Sequence, residues 1–378
     1  MQDIVARYID RILEQSKPEA PLWNMEKIRQ SAAPHWNYID GCMMTSLIRL
    51  YEQTGEERFF DFAERFIDYY VAEDGSILGY ELETYNLDNI CEGRVLFDLY
   101  RATKKEKYRR AIELLHWQLA QQPRTKEGSF WHKRIYPHQV WLDGLYMAQV
   151  FATRYEAEFK KKPDYTDIVR QFQNVRDVMF DEEKKLYYHG YDSARRMFWA
   201  DEKGLSKSFW LRAIGWFAVA LADVISYLPQ SAKEERARLA GLLSELVAGI
   251  VPYIDDRTNM LYQVVDQAGR EGNYPETSGS SMIAYAMLKG VRLQLLPNSY
   301  RETGAQIFDG ICKQYLSEKE GLLNLGGICL SAGLGPENNL KRDGTYEYYI
   351  SEPVVENDAK GAAPFLMCYV ELQAGQTE

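Results

Sequence analysis

The sequence predicts an all-helical (α/α)6 barrel, a toroid of six inner and six outer helices, as one domain over residues 1–378. Three observations lead there. Helical periodicity recurs along the whole chain while strand alternation is scarce. The connections between helices alternate short and long. Charge alternates in step, so that charge-poor helices are followed by helices with one charged face.

About twelve helices are expected from the periodicity. The first, roughly 2–15, is amphipathic and lacks the basic and apolar regions of a signal peptide. A segment at 40–54 follows His35-Trp36-Asn37-Tyr38, and Gln53-Thr54-Gly55-Glu56 turns it into a regularly charged helix at 57–72. After a long loop, 73–86, a helix at 87–103 opens on Asp88, and Thr103-Lys104-Lys105 joins it to 105–121. Another long loop, 122–137, leads to 138–159, which is apolar nearly all round and carries Trp141, Asp143 and Met147 near its start. The helix at 163–178 precedes a long loop at 179–206. Next, 207–228 runs Phe209-Trp210-Leu211-Arg212-Ala213-Ile214-Gly215-Trp216-Phe217 almost without charge. Beyond Pro229, 231–254 carries Lys233-Glu234-Glu235-Arg236-Ala237-Arg238. A loop at 255–276 leads to the apolar helix at 277–294, Pro297 separates that from the charged helix at 298–315, and the loop 316–357 ends at a helix over 358–373.

Short connections force neighbouring helices antiparallel, so the long loops gather at one end. Helices apolar all round are buried and those with one charged face are peripheral. Inner and outer helices then alternate with a repeat of about fifty residues. A solenoid is the competing all-helical design, but its repeats do not demand a charge-poor alternate helix. In the toroid the N-termini of the inner helices surround one mouth, where positive helix ends favour an anion.

The net charge is −10, from 45 basic and 55 acidic residues, which argues against a general nucleic-acid or membrane-surface binder. No stretch reaches transmembrane length without charge. The five cysteines, Cys42, Cys91, Cys312, Cys329 and Cys368, are scattered and read as reduced core residues of a cytoplasmic protein. No zinc spacing, P-loop, GxSxG or GxGxxG pattern occurs, and neither metal nor cofactor is expected.

At the expected mouth, Asp143 has two readings. It either stabilises its own helix N-terminus or acts as a general acid. Asp88 holds an equivalent place. Two facing carboxylates cannot both ionise cheaply, so one is expected to keep its proton near neutral pH. Arg212, flanked by Trp210 and Trp216, suits a carboxylate ligand or, equally, a buried ion pair with an aspartate of a neighbouring helix. Trp141, Trp210, Trp216 and Tyr38 are candidate stacking platforms for a sugar ring, with core packing the better reading for Trp216, deeper in its helix. His132 and His189 sit in long loops on the mouth side and are candidate ligand donors. His138 reads equally as a cap, His35 has no assigned role, and His116 is structural.

Several segments together resemble glycoside hydrolase family 105, the unsaturated rhamnogalacturonyl hydrolases. They are His35-Trp36-Asn37-Tyr38, Leu87-Asp88-Asn89, Trp141-Leu142-Asp143-Gly144-Leu145-Tyr146-Met147, His189-Gly190-Tyr191-Asp192 and Trp199-Ala200-Asp201. Further along come Phe209-Trp210-Leu211-Arg212-Ala213-Ile214-Gly215-Trp216, Tyr274-Pro275-Glu276-Thr277-Ser278, Ala332-Gly333-Leu334-Gly335 and the stretch from Arg342 through Tyr346-Glu347-Tyr348-Tyr349 to Val354. Each is short, and their joint order spans the chain.

The resemblance implies an (α/α)6 barrel and a metal-independent glycosidase of pectin breakdown. Its substrates are rhamnogalacturonan oligosaccharides left by polysaccharide lyases, which end in an uronic acid with a C4=C5 double bond. The residue matching Asp143 would protonate C4 and then help activate the water that adds at C5. Asp88 matches the second carboxylate, which positions the sugar. His189, Trp210, Arg212 and Trp216 match the ligand-binding wall, and His132 and Met147 are weaker carry-overs. One departure is visible: the family usually carries Gly where this chain has Leu211, which puts the pocket's shape in question. The expected partner is a small unsaturated oligosaccharide, with no nucleic acid or membrane, on a monomer or weak homo-oligomer. The alternatives are an unsaturated glucuronyl hydrolase acting on glycosaminoglycan- or ulvan-type fragments, an inverting glycosidase of the same fold, and a non-catalytic saccharide-binding toroid.

Overall fold

The periodic segments become helices in the computed structural model, which describes residues 2–33 and 35–375. In chain order these are α1 (Gln2–Glu14), α2 (Met25–Gln30), α3 (Tyr38–Thr54), α4 (Glu57–Tyr70) and α5 (Asp88–Cys91). They continue with α6 (Arg94–Thr103), α7 (Glu106–Gln121), α8 (Leu142–Phe159), α9 (Thr166–Met179) and α10 (Leu211–Tyr227). The last are α11 (Lys233–Ile250), α12 (Thr277–Arg292), α13 (Ser299–Tyr315), α14 (Tyr346–Ser351) and α15 (Ala359–Ala374).

Helices α3, α5–α6, α8, α10, α12 and α15 each pack on the next, and α15 returns to α3, closing an inner ring. Helices α4, α7, α9, α11 and α13 lie outside their inner neighbours, and Tyr8 of α1 packs edge-on against Phe365 of α15. The charge pattern explains this order. Helix α10 is buried from Leu211 to Ile225 and α12 from Thr277 to Val291, whereas in α11 only one face is covered. The fold is the (α/α)6 barrel that the sequence predicts.

Tight links close the far end. Between α3 and α4, Gly55 takes φ 71° and returns its N–H to the Tyr51 carbonyl, a left-handed cap that glycine adopts without strain. The long loops lie at the opposite end and carry short strand pairs: β1 (Gln139–Trp141) with β4 (Gly190–Asp192), β2 (Phe180–Asp181) with β3 (Leu186–Tyr187), β5 (Leu316–Lys319) with β6 (Leu322–Leu325), and β7 (Ile328–Cys329) with β8 (Val354–Val355). Among the described residues, no helix is long and apolar enough to cross a membrane.

Several expected boundaries move. The helix at 87–103 is broken into α5 and α6 at Glu92-Gly93. There the backbone is wedged between neighbours: a Cβ on Gly41 of α3 would lie 2.4 Å from the Glu92 Cα, and one on Gly93 would lie 2.2 Å from Leu115 Cδ1. Helices α8 and α10 begin later than the periodicity suggests, because Trp141 and Trp210 are extended N-cap residues.

Leu211 faces inward. It is fully buried at the start of α10, and a Cβ on Gly279 of α12 would sit 2.3 Å from its Cγ. Its side chain fills the space between two inner helices, so its bulk is accommodated by the missing side chain at Gly279. Gly279→Ala is therefore expected to destabilise the fold by about 2 kcal/mol through overpacking. Chemical denaturation would measure it, and adding Leu211→Ala should recover part of the loss. A stability equal to the parent's would contradict the close packing.

Candidate active site

A repeated backbone bond brings loop residues onto helix starts. Near the N-terminus of an inner helix, one N–H that the helix cannot use donates to a carbonyl from another loop. Leu87 donates to His132, Leu142 to His189, Leu211 to Gln263, Thr277 to Gly327 and Ala359 to Trp23, at 2.9–3.1 Å. His132 and His189 thus occupy equivalent places, one repeat apart, and each is delivered to the aspartate that follows the donating leucine.

At the first place, Asp88 Oδ1 lies 3.3 Å from His132 Nε2 and Oδ2 lies 2.5 Å from Lys133 Nζ. Burial alone would raise the Asp88 pKa, but Lys133 and His132 outweigh it and hold the carboxyl well below its ordinary value. The Lys133 ammonium is opposed by burial and favoured by Asp88, with a net upward shift. The expectation of two carboxylates repelling each other is corrected here: Asp88 is neutralised by its own cation.

At the second place, Asp143 Oδ2 lies 3.3 Å from His189 Nε2, without the alignment of a hydrogen bond. The His189 Nδ1 is 2.6 Å from the Tyr349 hydroxyl. The histidine is fully enclosed, whereas the Asp143 side chain retains 12% exposure, enough to meet a ligand. The two places touch, since a Cβ on Gly144 of α8 would lie 3.2 Å from His132 Nδ1.

Aromatic rings hold both histidines. Trp141 stacks on His132 at 4.4 Å and on Tyr136 at 4.6 Å, and presents an edge to His189. Trp210 lies 4.7 Å from the His189 ring and stacks on Tyr349. Trp216 is 2% exposed, stacks on Tyr146 and meets Tyr38 edge-on. Tyr38 is the first residue of α3 and only half-buried. Met147, buried one turn after Asp143, shares its helix face.

Arg212 takes the ion-pair alternative, with a different partner from the aspartate expected. Its Nε donates to Ser278 Oγ at 2.7 Å, and its Nη2 meets Glu276 Oε1 at 3.5 Å and the Cys329 carbonyl. Glu276 caps α12 through the Gly279 N–H, so the arginine ties α10 to α12. Among the other histidines, His116 stacks on Tyr155 and its pKa is pushed down to about 4, by burial first and Lys160 second. His138 lies outside any helix and packs against Trp131, so it is not a cap. Lys133 and Tyr349 carry no role in the sequence reading. Lys133 was signalled by its place beside His132, and Tyr349 by the tyrosine-rich stretch that ends at Val354. Among the described residues, no group of three His, Cys, Asp or Glu side chains is arranged to hold a metal ion.

Residues 8–374 match the model of Glycosyl Hydrolase Family 88. The solved structure of a family 105 glycoside hydrolase from C. acetobutylicum ATCC 824 is 41% identical, superposes with a TM-score of 0.88, and covers 97% of this chain and 99% of that one. The unsaturated rhamnogalacturonyl hydrolase YesR of Bacillus subtilis is 25% identical over 264 residues, 68% of this chain and 72% of its own length. The unsaturated glucuronyl hydrolase from Bacillus sp. GL1 has the same fold, with a TM-score of 0.61 at 14% identity, covering 90% of this chain and 87% of that one. The family model and the Clostridium likeness, each running over nearly the whole chain, make this protein a member of the family 88 and 105 glycoside hydrolases.

Proposed function

We propose that the chain releases the terminal unsaturated galacturonic acid from lyase-generated rhamnogalacturonan oligosaccharides by hydrating the C4=C5 vinyl ether. The observation that carries this reading is the contrast between two acids at one mouth: Asp88 is locked as a carboxylate by Lys133, while Asp143 has His189 at 3.3 Å and, among the described residues, no lysine or arginine ion pair. A fixed anion and a separate proton carrier are what protonation of an enol ether needs.

In the proposed reaction Asp143 gives its proton to C4, and positive charge develops at C5 and the ring oxygen. Asp88 stabilises that charge and accepts hydrogen bonds from the sugar hydroxyls. The Asp143 carboxylate then takes a proton from water as the water oxygen bonds to C5. The resulting hemiketal opens to a keto sugar and expels the rest of the saccharide. Tyr38, Trp141, Met147, Trp210 and Trp216 form the wall against the sugar, with His132 and His189 as ligand donors. Arg212 acts through its field, since its Nε and Nη2 are engaged by Ser278, Glu276 and Cys329. A cavity of about 290 Å³ beside Lys133, lined also by Thr84, Asn86, Asn89 and Ile135, offers amide groups and an apolar side chain to the leaving saccharide.

The substrate choice is supported by the relative YesR. The test follows loss of alkene absorbance on unsaturated galacturonyl-rhamnose and on its glucuronyl counterpart, with the product examined for a ring-opened keto sugar. Faster turnover of the galacturonyl disaccharide is expected. Preference for the glucuronyl substrate would transfer the reading to the activity named for the Bacillus sp. GL1 protein, and binding without turnover would make the toroid a saccharide-binding module.

A further inference from the structure

We infer that Tyr349 is a positioning residue that fixes His189 in its Nε2–H tautomer and thereby decides which oxygen of Asp143 carries the transferable proton. The role in catalysis rests on the proposed hydration reaction; the tautomer itself does not.

Tyr349 is fully buried in α14 and is held on three sides. Its ring stacks on Trp210 at 5.7 Å and 20°. Its N–H donates to the Thr345 carbonyl at 3.2 Å, and its carbonyl accepts from Gln263 Nε2 at 3.2 Å. Gln263 Oε1 in turn accepts from Trp210 Nε1, so ring and backbone are clamped by one glutamine. The hydroxyl thus reaches His189 Nδ1 at 2.6 Å from a fixed direction.

Burial, with the neighbouring Tyr348, Asp143, Asp343 and Cys329 adding to it, keeps this phenol protonated. Among the described residues its oxygen has no other hydrogen-bond partner than His189 Nδ1. A phenol O–H is a good donor and a poor acceptor, and an enclosed one must place its proton on the acceptor within reach. The proton therefore points at Nδ1, which is left as the bare nitrogen. The ring N–H is then on Nε2, 3.3 Å from Asp143 Oδ2 though not aligned on it in the resting structure. Among the described residues, the other rings against His189 are those of Trp141 and Trp210, which offer no competing acceptor.

The consequence for the proposed chemistry is directional. An Nε2–H cannot take the acid's proton, so His189 is not an alternative sink. A donor 3.3 Å from Oδ2 disfavours a second proton on that oxygen, so the proton that leaves for C4 departs from Oδ1. Once it has left, the same N–H can turn onto the new carboxylate and stabilise it, and Oδ1 is free to accept the proton of the attacking water. No further acid or base is required for the cycle to close.

The test has two arms on the intact protein. Long-range proton–nitrogen spectra of ¹⁵N-labelled chain, with His189 assigned by comparison with His189→Asn, should show a single Nε2–H tautomer in the parent and a mixture in Tyr349→Phe. An Nδ1–H tautomer in the parent, or an unchanged pattern in the variant, overturns the inference and needs neither substrate nor activity. In the second arm, Tyr349→Phe keeps the stack on Trp210 and should lower kcat by roughly ten-fold while leaving KM within a factor of about two. A kcat equal to the parent's would remove the catalytic part of the inference, and a loss confined to KM would reassign Tyr349 to binding. Failure of the parent to hydrolyse any unsaturated uronide would overturn the proposed function and leave the tautomer to be read on its own.

Discussion

Asp143→Asn is expected to lower kcat by on the order of a thousand-fold while leaving the protein folded and able to bind its saccharide. An amide matches the carboxyl in shape but has no acidic proton, and it cannot act as the base that the second half-reaction requires. Among the described residues Asp143 Oδ2 has no hydrogen-bond partner and lies 3.3 Å from His189 Nε2, so the substitution removes chemistry without removing a strut. Melting temperature and saccharide affinity close to the parent's would establish the control. A variant that kept its fold and retained turnover within about ten-fold would take the proton donor's role away from Asp143, and the search would move to His132, the other titratable group that reaches the edge of α8 through Gly144.

The ring of helices was legible because burial writes itself into composition. An inner helix such as α10 can carry no charge beyond Arg212 and Asp223, and an outer one such as α11 must show a polar face. Asp143 was legible as an acid in the first turn of an apolar helix, and Asp88 by its equivalent place at the start of another inner helix. The break at Glu92-Gly93 was not, since it arises from the approach of Gly41 and Leu115, which lie far away in sequence. Strand pairs of two to four residues leave too short an alternation to read. The delivery of His132 to Asp88 and of His189 to Asp143 depends on backbone bonds between one helix start and another loop, and backbone atoms have no sequence signature. Arg212 shows the limit most clearly: its type and flanking tryptophans are compatible with a ligand and with an ion pair, and only the positions of Glu276 and Ser278 separate the two.

Leu211 makes the same point from the opposite side. As a departure from the family's pattern it raises a question about the pocket, and Gly279 answers it by accepting the extra side chain between α10 and α12. A substitution at a helix start near a site is thus a statement about its packing neighbour before it is one about substrate. The pocket's shape is set instead by groups with their own anchors: Trp141 on His132 and Tyr136, and Trp210 on Tyr349.

Asp88→Asn should cost roughly a hundred-fold in kcat, by a factor that does not vary between about pH 5 and about pH 8. The sign follows from the depressed pKa. Burial opposes ionisation, but Lys133 at 2.5 Å and His132 at 3.3 Å prevail, so the folded carboxyl titrates below its ordinary 3.8. Its contribution to stability is complete above that ordinary value and is lost only as pH falls through the lower folded value. The group is therefore a carboxylate over the whole working range and cannot generate an acid limb in the rate profile. Loss of the charge should also expose Lys133 as an uncompensated, largely buried cation, at a cost of about 2 kcal/mol at neutral pH that shrinks as the medium becomes acid enough to protonate the parent's Asp88. Lys133→Met separates the two roles. With its main counter-charge gone, Asp88 should titrate higher, and an acid limb absent from the parent should enter the rate profile. A ratio of parent to Asp88→Asn rates that changes across neutral pH would show that Asp88 itself exchanges a proton during turnover, and the division of labour between a fixed anion and a proton carrier would have to be redrawn.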